Sequence, residues 1–228
     1  MLAVKTQYDN IEETLTVLTM SAFTPAVDRY LKSCRMNNVQ GVRAYLTTIH
    51  CNPHWAYRGL QYAADGLSVD ALKIVCNYKK KINSDHDAEW VRLSTDAVKR
   101  LITSRTTKSE TKEMLSCLLE VEPKPNFDTL ARDIGDWSSA QLLDVILPHL
   151  SNSQKNIAFE RACKRSHNMD VVERMLLEVD LNSVWPRIKD SWDKPYPENV
   201  MVVENFLLRN TLINELEDVE KAVSRRKM

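Results

Sequence analysis

His50-Cys51-Asn52-Pro53-His54 places two imidazoles and a thiol in one short segment, the donor types that zinc takes in tetrahedral sites. No fourth donor is evident, and Asn52-Pro53 is itself a helix-start signal, so these residues read first as structure. Asp85-His86-Asp87 and the pair Asp133 and Asp136 offer the two carboxylates that acid–base chemistry uses. In a loop and at a helix end they read as solvated charge. Lys79-Lys80-Lys81 and Arg225-Arg226-Lys227 are short enough to be solvated faces rather than phosphate sites. The chain has no Gly-rich phosphate loop, Gly-x-Ser-x-Gly elbow, His-Glu-x-x-His helix or Cys-x-x-Cys pair. The expectation is a protein without catalytic centre, cofactor or metal.

The elements that carry these residues are repeated. Six times an Asn, Ser or Thr precedes an apolar pair that recurs one turn later. The pairs are Gly41-Val42 with Tyr45-Leu46, Ala71-Leu72 with Val75-Cys76, Met114-Leu115 with Leu118-Leu119, Leu142-Leu143 with Ile146-Leu147, Val171-Val172 with Met175-Leu176, and Val202-Val203 with Phe206-Leu207. They return about every 30 residues, with one interval stretched by about a dozen around Lys79–Trp90. Each pair-and-turn pattern is one stripe of a helix. The polar residue before it, Asn38, Ser68, Thr111, Ser139, Asn168 or Asn199, is placed to cap that helix.

A shorter apolar segment lies upstream of each stripe, as in Tyr30, Leu31 and Cys34, or Phe127, Leu130, Ala131 and Ile134. Thr24-Pro25, Asn52-Pro53 and a capping box from Ser151 to Gln154 mark the starts of these first helices. Helix pairs follow, about six of them. The first half of the sixth, Val184–Pro197, is expected to be irregular.

Asn156-Ile-Ala-Phe-Glu-Arg-Ala-Cys through Met169-Asp-Val-Val-Glu-Arg-Met-Leu-Leu-Glu178 resembles an ankyrin repeat, with one extra residue in the turn. Ser33-Cys34, Ala63-Ala64 and Ile134-Gly135 sit at that family's small-residue pair, and their turn spacing is similar to the family's. The resemblance spans roughly residues 24–210. It implies an all-α, ankyrin-like solenoid of helix-turn-helix repeats. Residues 1–23 would form an N-terminal capping helix, and residues 211–228 a C-terminal capping helix and tail. The chain departs from the family in having only 4 Gly, where the family uses glycine in turns that need positive φ. Gly-Ala-Asp-Val-Asn-like loop endings are reduced to traces such as Asp180-Leu181-Asn182, so shortened or irregular hairpin tips are expected.

The resemblance also implies where partners bind: loop tips and the residues just after the small pair. Here those are Arg35 and Met36, Asp65 and Gly66, Asp136 and Trp137, and Lys164 and Arg165. Trp137 has no place in the apolar stripe. It is either an interface anchor or folded back over its neighbour.

Lys+Arg 31 against Asp+Glu 31 gives no global field toward nucleic acid or an anionic membrane. The 5 Cys are unpaired by any framework, which fits a reducing, cytoplasmic compartment, and no apolar run is long enough to span a bilayer. The function expected is a non-catalytic protein–protein interaction module, an adaptor, inhibitor or scaffold. Ankyrin-like chains this divergent resemble host-directed factors of viruses and intracellular bacteria. Two alternatives stay open: a nucleic-acid-binding solenoid, which needs Arg35, Lys164, Arg165 and the lysine run on one face, and a regulatory subunit of an enzyme. Homo-oligomerisation stays open as well.

Overall fold

Helix starts follow from local chemistry. Asn52 accepts from the His54 amide with Pro53 in the first turn, and Asn126 accepts from the Asp128 and Thr129 amides. Ser151 and Gln154 complete a reciprocal capping box. The computed structural model describes residues 25–48, 51–82, 84–104 and 109–226. Among them are twelve α-helices and no strand, so the protein is all-α. The expected N-terminal capping helix and Thr24 lie outside the described residues.

The chain divides into two units. Unit 1 comprises the described residues of Met1–Leu101 and Lys108–Pro125, and unit 2 those of Ile102–Thr107 and Asn126–Met228. Unit 1 holds α1 (25–35), α2 (Val39–Leu46), α3 (Pro53–Asp65), α4 (Val69–Lys79), α5 (Asp87–Thr103) as far as Leu101, and α6 (Ser109–Leu119). Unit 2 holds α7 (Phe127–Trp137), α8 (Ala140–Ile146), α9 (Asn152–Cys163), α10 (Met169–Met175), α11 (Leu181–Lys189) and α12 (Pro197–Arg226). In unit 1, α4 packs on α2, α3 and α6. In unit 2, α9 packs on α7 and α11, while α10 packs on α8, α9 and α12.

Most of the stripe residues are core. Leu72, Val75, Cys76, Met114, Leu115, Leu118 and Leu119 are buried in unit 1; Leu142, Leu143, Ile146, Val171, Val172 and Met175 are buried in unit 2. Tyr57, Trp90 and Leu93 join them. The stretched interval, between the second and third pairs, is resolved by a short 3-10 turn, Ser84–His86, and an α5 that begins at Asp87. The Trp90 indole closes that region by donating to the Pro123 carbonyl at 2.9 Å.

Several expectations need correction. Of the six polar residues placed as caps, Asn38 accepts from its own helix, at the Gly41 amide. Thr111 and Asn199 lie inside α6 and α12. Ser68, Ser139 and Asn168 precede their helices without capping them. Three of these side chains reach back one helix pair instead. Ser68 donates to the Arg35 carbonyl at 2.8 Å and Asn168 to the Gly135 carbonyl at 2.9 Å. Asn199 donates to the Ala162, Cys163 and Arg165 carbonyls. The last carbonyls of a helix have no intrahelical donor, so a side-chain donor on the next pair is drawn to them.

The glycines are also not where positive φ is needed. The left-handed turn positions are Asn37, Leu67 and His167, with φ of 54°, 49° and 64°. Gly66 and Gly135 serve close approach: a Cβ would lie 1.9 Å from the Arg35 oxygen and 2.1 Å from the Ala158 oxygen, respectively. Val184–Pro197 is not irregular throughout, because α11 buries Leu181, Val184, Trp185 and Ile188 at i, i+3, i+4 and i+7 around Pro186. The trace Asp180-Leu181-Asn182 is the start of this helix. Trp185 seals the sixth pair, but Trp192 is 100% exposed and Tyr196 is exposed. Residues 197–226 form one helix, so the second helix of the sixth pair and the expected C-terminal capping helix are a single element.

Candidate functional site

At the end of α7 in unit 2, Asp136 sits at the turn into α8 with a side chain only 8% exposed. Two arginines from the α9 region grip its carboxylate. Arg161 donates through Nε at 3.0 Å and Nη2 at 2.8 Å; Arg165 donates through Nε at 2.9 Å and Nη2 at 3.1 Å. Each is a two-pronged guanidinium–carboxylate contact, the strongest geometry for this pair. Burial alone would raise the Asp136 carboxyl, but the Arg165 and Arg161 hydrogen bonds outweigh it and hold it below its ordinary value.

The Arg165 guanidinium also lies over the Trp137 ring, 5.6 Å from its centroid. Trp137 is 39% exposed, so the indole offers one part of its surface to solvent. Next to it runs a cleft of about 430 Å³ lined by Trp137, Ser138, Arg165, Ser166, His167 and Asp170, among others. The Ser139 hydroxyl, buried at this turn, has no hydrogen-bond partner. Lys164, the remaining candidate of this unit, turns elsewhere, to Glu160 at 2.8 Å and Asp193 at 3.6 Å.

In unit 1, Arg35 and Met36 line a second cleft of about 540 Å³ with Asp28, Leu31, Lys32, Tyr62 and Gly66. Met36 is 69% exposed. Asp65 is not a free carboxylate: Arg100 of α5 holds both its oxygens, at 2.7 and 2.8 Å. Four of the eight proposed contact residues, Asp65, Asp136, Lys164 and Arg165, are therefore already paired within the fold.

The other chemistry-bearing residues are dispersed into structural roles. His54 Nδ1 lies 2.6 Å from Glu89, and the Cys51 thiol hydrogen-bonds with the Tyr78 hydroxyl; His50 lies outside the described residues. No cluster of three His, Cys, Asp or Glu is placed to share a metal ion among the described residues. Lys79, expected on a solvated face, is buried and pairs with Asp87 at 2.5 Å. Asp85 and His86 are exposed on the 3-10 turn. The side chains of Arg225-Arg226-Lys227 are outside what is described.

Arg161 was missed as a site residue although a signal existed. It lies four residues before Arg165 near the end of α9, a spacing that lets both guanidinium groups reach the same acidic residue. Arg100, the partner of Asp65, carries no comparable local mark.

No protein-family model matches the chain, and no curated protein or solved structure does either. Among the described residues no helix is long and apolar enough to cross a membrane.

Proposed function

We propose that the chain is an ankyrin-like stack of helix pairs acting as a non-catalytic interaction module, which binds a partner protein through the turns that follow its first helices. Within each unit, neighbouring pairs pack sequentially, and the Asn37, Leu67 and His167 turns share one left-handed conformation. These features support the repeat reading.

The observation that carries the binding reading is Trp137. Its indole is part-exposed, stacked under Arg165, and Arg165 is held in turn by Asp136. An aromatic immobilised before binding loses little further rotamer freedom on contact, which favours it as an anchor. The adjoining cleft has room for one or two side chains of a partner. Against a nucleic-acid reading stand the local pairings of Lys164, Arg165 and Lys79 with carboxylates.

The test compares wild type with Trp137→Ala and Arg35→Glu variants that retain the wild-type melting temperature. Tagged protein is used for capture from lysate of its source cells. A protein partner held by wild type and released by Trp137→Ala is the expected result. Capture that ignores both substitutions, or recovery of nucleic acid with steep salt dependence, would overturn the reading.

A further inference from the structure

The seam between α4 and α6 in unit 1 brings two cysteines together across 40 residues of chain. Lys73 of α4 pairs with Glu113 of α6, which sets the register of the two helices. One turn further on, Cys76 of α4 and Cys117 of α6 hydrogen-bond thiol to thiol. Cys76 is fully buried and Cys117 is half-buried. Lys80 and Glu120 face the pair from the following turn, and Lys73 from the preceding one.

We propose that Cys76 and Cys117 are a reversible oxidative modification site, joined by a disulfide when the protein meets hydrogen peroxide. The pair is asymmetric in the sense this chemistry requires. The Cys76 hydrogen bond, then Lys80 and Lys73, draw the Cys117 thiol below its ordinary value against the effect of burial, while the same hydrogen bond and burial push Cys76 up. Cys117 is also the member that solvent reaches. Attack follows thiolate character and access. The Cys117 thiolate attacks one peroxide oxygen, the O–O bond breaks, and hydroxide leaves to be protonated, giving a sulfenic acid. The Cys76 sulfur then attacks the Cys117 sulfur, the S–O bond breaks, and a second hydroxide leaves as water with the Cys76 proton. Two thiols are oxidised and one peroxide is reduced to two waters.

Helix packing supplies the second requirement, since α4 and α6 pack on each other in the register that the Lys73–Glu113 pair sets and bring the two thiols together. The remaining cysteines lack this activation. Burial pushes the Cys34 and Cys163 thiols up to about 12 and raises Cys51 as well.

The folded full-length chain is treated with stoichiometric hydrogen peroxide, alkylated, and digested without reductant for mass spectrometry. The expected product is a Cys76–Cys117 linked peptide that dithiothreitol releases, with two of the 5 thiols lost. The linked form should melt several degrees higher, because the bond closes a long loop in the unfolded chain. In Cys76→Ser, Cys117 should accumulate as a sulfenic acid that dimedone traps. The proposal is overturned if wild type keeps all its thiols, joins other cysteines, or builds up Cys117 sulfinic acid while Cys76 still alkylates. The wild-type mapping decides the matter even where Cys76→Ser fails to fold.

Discussion

Asp65 in unit 1 and Asp136 in unit 2 follow the small-residue pair of their helices at the same place, and each is held by arginine from the next first helix. Their surroundings differ. Asp65 is 39% exposed and has one arginine; Asp136 is 8% exposed and has two. A solvated ion pair loses in screening and side-chain ordering most of what it gains in attraction. A buried carboxylate gripped by two forks retains more, and its removal leaves two cations facing each other. The same device is thus a surface contact in one unit and a structural pin in the other.

The largest effect should come from breaking that pin. Asp136→Asn is expected to lower unfolding free energy by about 2–3 kcal/mol in urea titration. Its pH dependence sharpens the point. The Asp136 carboxyl is lowered in the folded state, so its contribution is present above the unfolded value of about 3.9 and is lost as pH falls through the folded value. The gap between wild type and Asp136→Asn should therefore close below about pH 4; a gap constant down to strongly acid pH would show that charge is not its cause.

Gly135→Ala should cost about 2 kcal/mol, because the new methyl meets the Ala158 carbonyl of α9 at 2.1 Å and backbone must move. Thermal unfolding checks this directly, and an unchanged melting temperature would mean that α7 and α9 are not so closely packed. His167→Gly should stabilise by about 0.5–1 kcal/mol, since it removes a β-carbon from a left-handed turn while sacrificing an exposed side chain. Leu67→Gly should gain less, as Leu67 is half-buried. Smallest of all, Asp65→Asn should change stability by less than about 0.5 kcal/mol. A loss as large as that of Asp136→Asn would erase the contrast between the two units.

Much of the secondary structure was legible because helical signals are local. Asn52-Pro53, the Ser151–Gln154 box and the apolar stripes act within one or two turns, and they appear where expected. Pro186 hid α11, since a proline within a nine-residue segment argues against a helix although Leu181, Val184, Trp185 and Ile188 keep its period. The site was half legible. Trp137 stood out as an aromatic outside the stripe, but the pairing of Asp136 with Arg161 and Arg165 joins residues 25 and 29 positions apart. No local pattern specifies such a contact.

The sequence by itself determined the all-α class and the apolar stripe that most of the helices bury, because these follow from side-chain period and capping within a few residues. Tertiary structure decided what the polar residues do. Asn199 became a staple on the end of α9 rather than a cap, Gly135 became a contact rather than a turn, and Cys76 met Cys117. Each of these outcomes depends on which carbonyl, β-carbon or thiol a neighbouring helix presents, and that is settled only when distant segments pack.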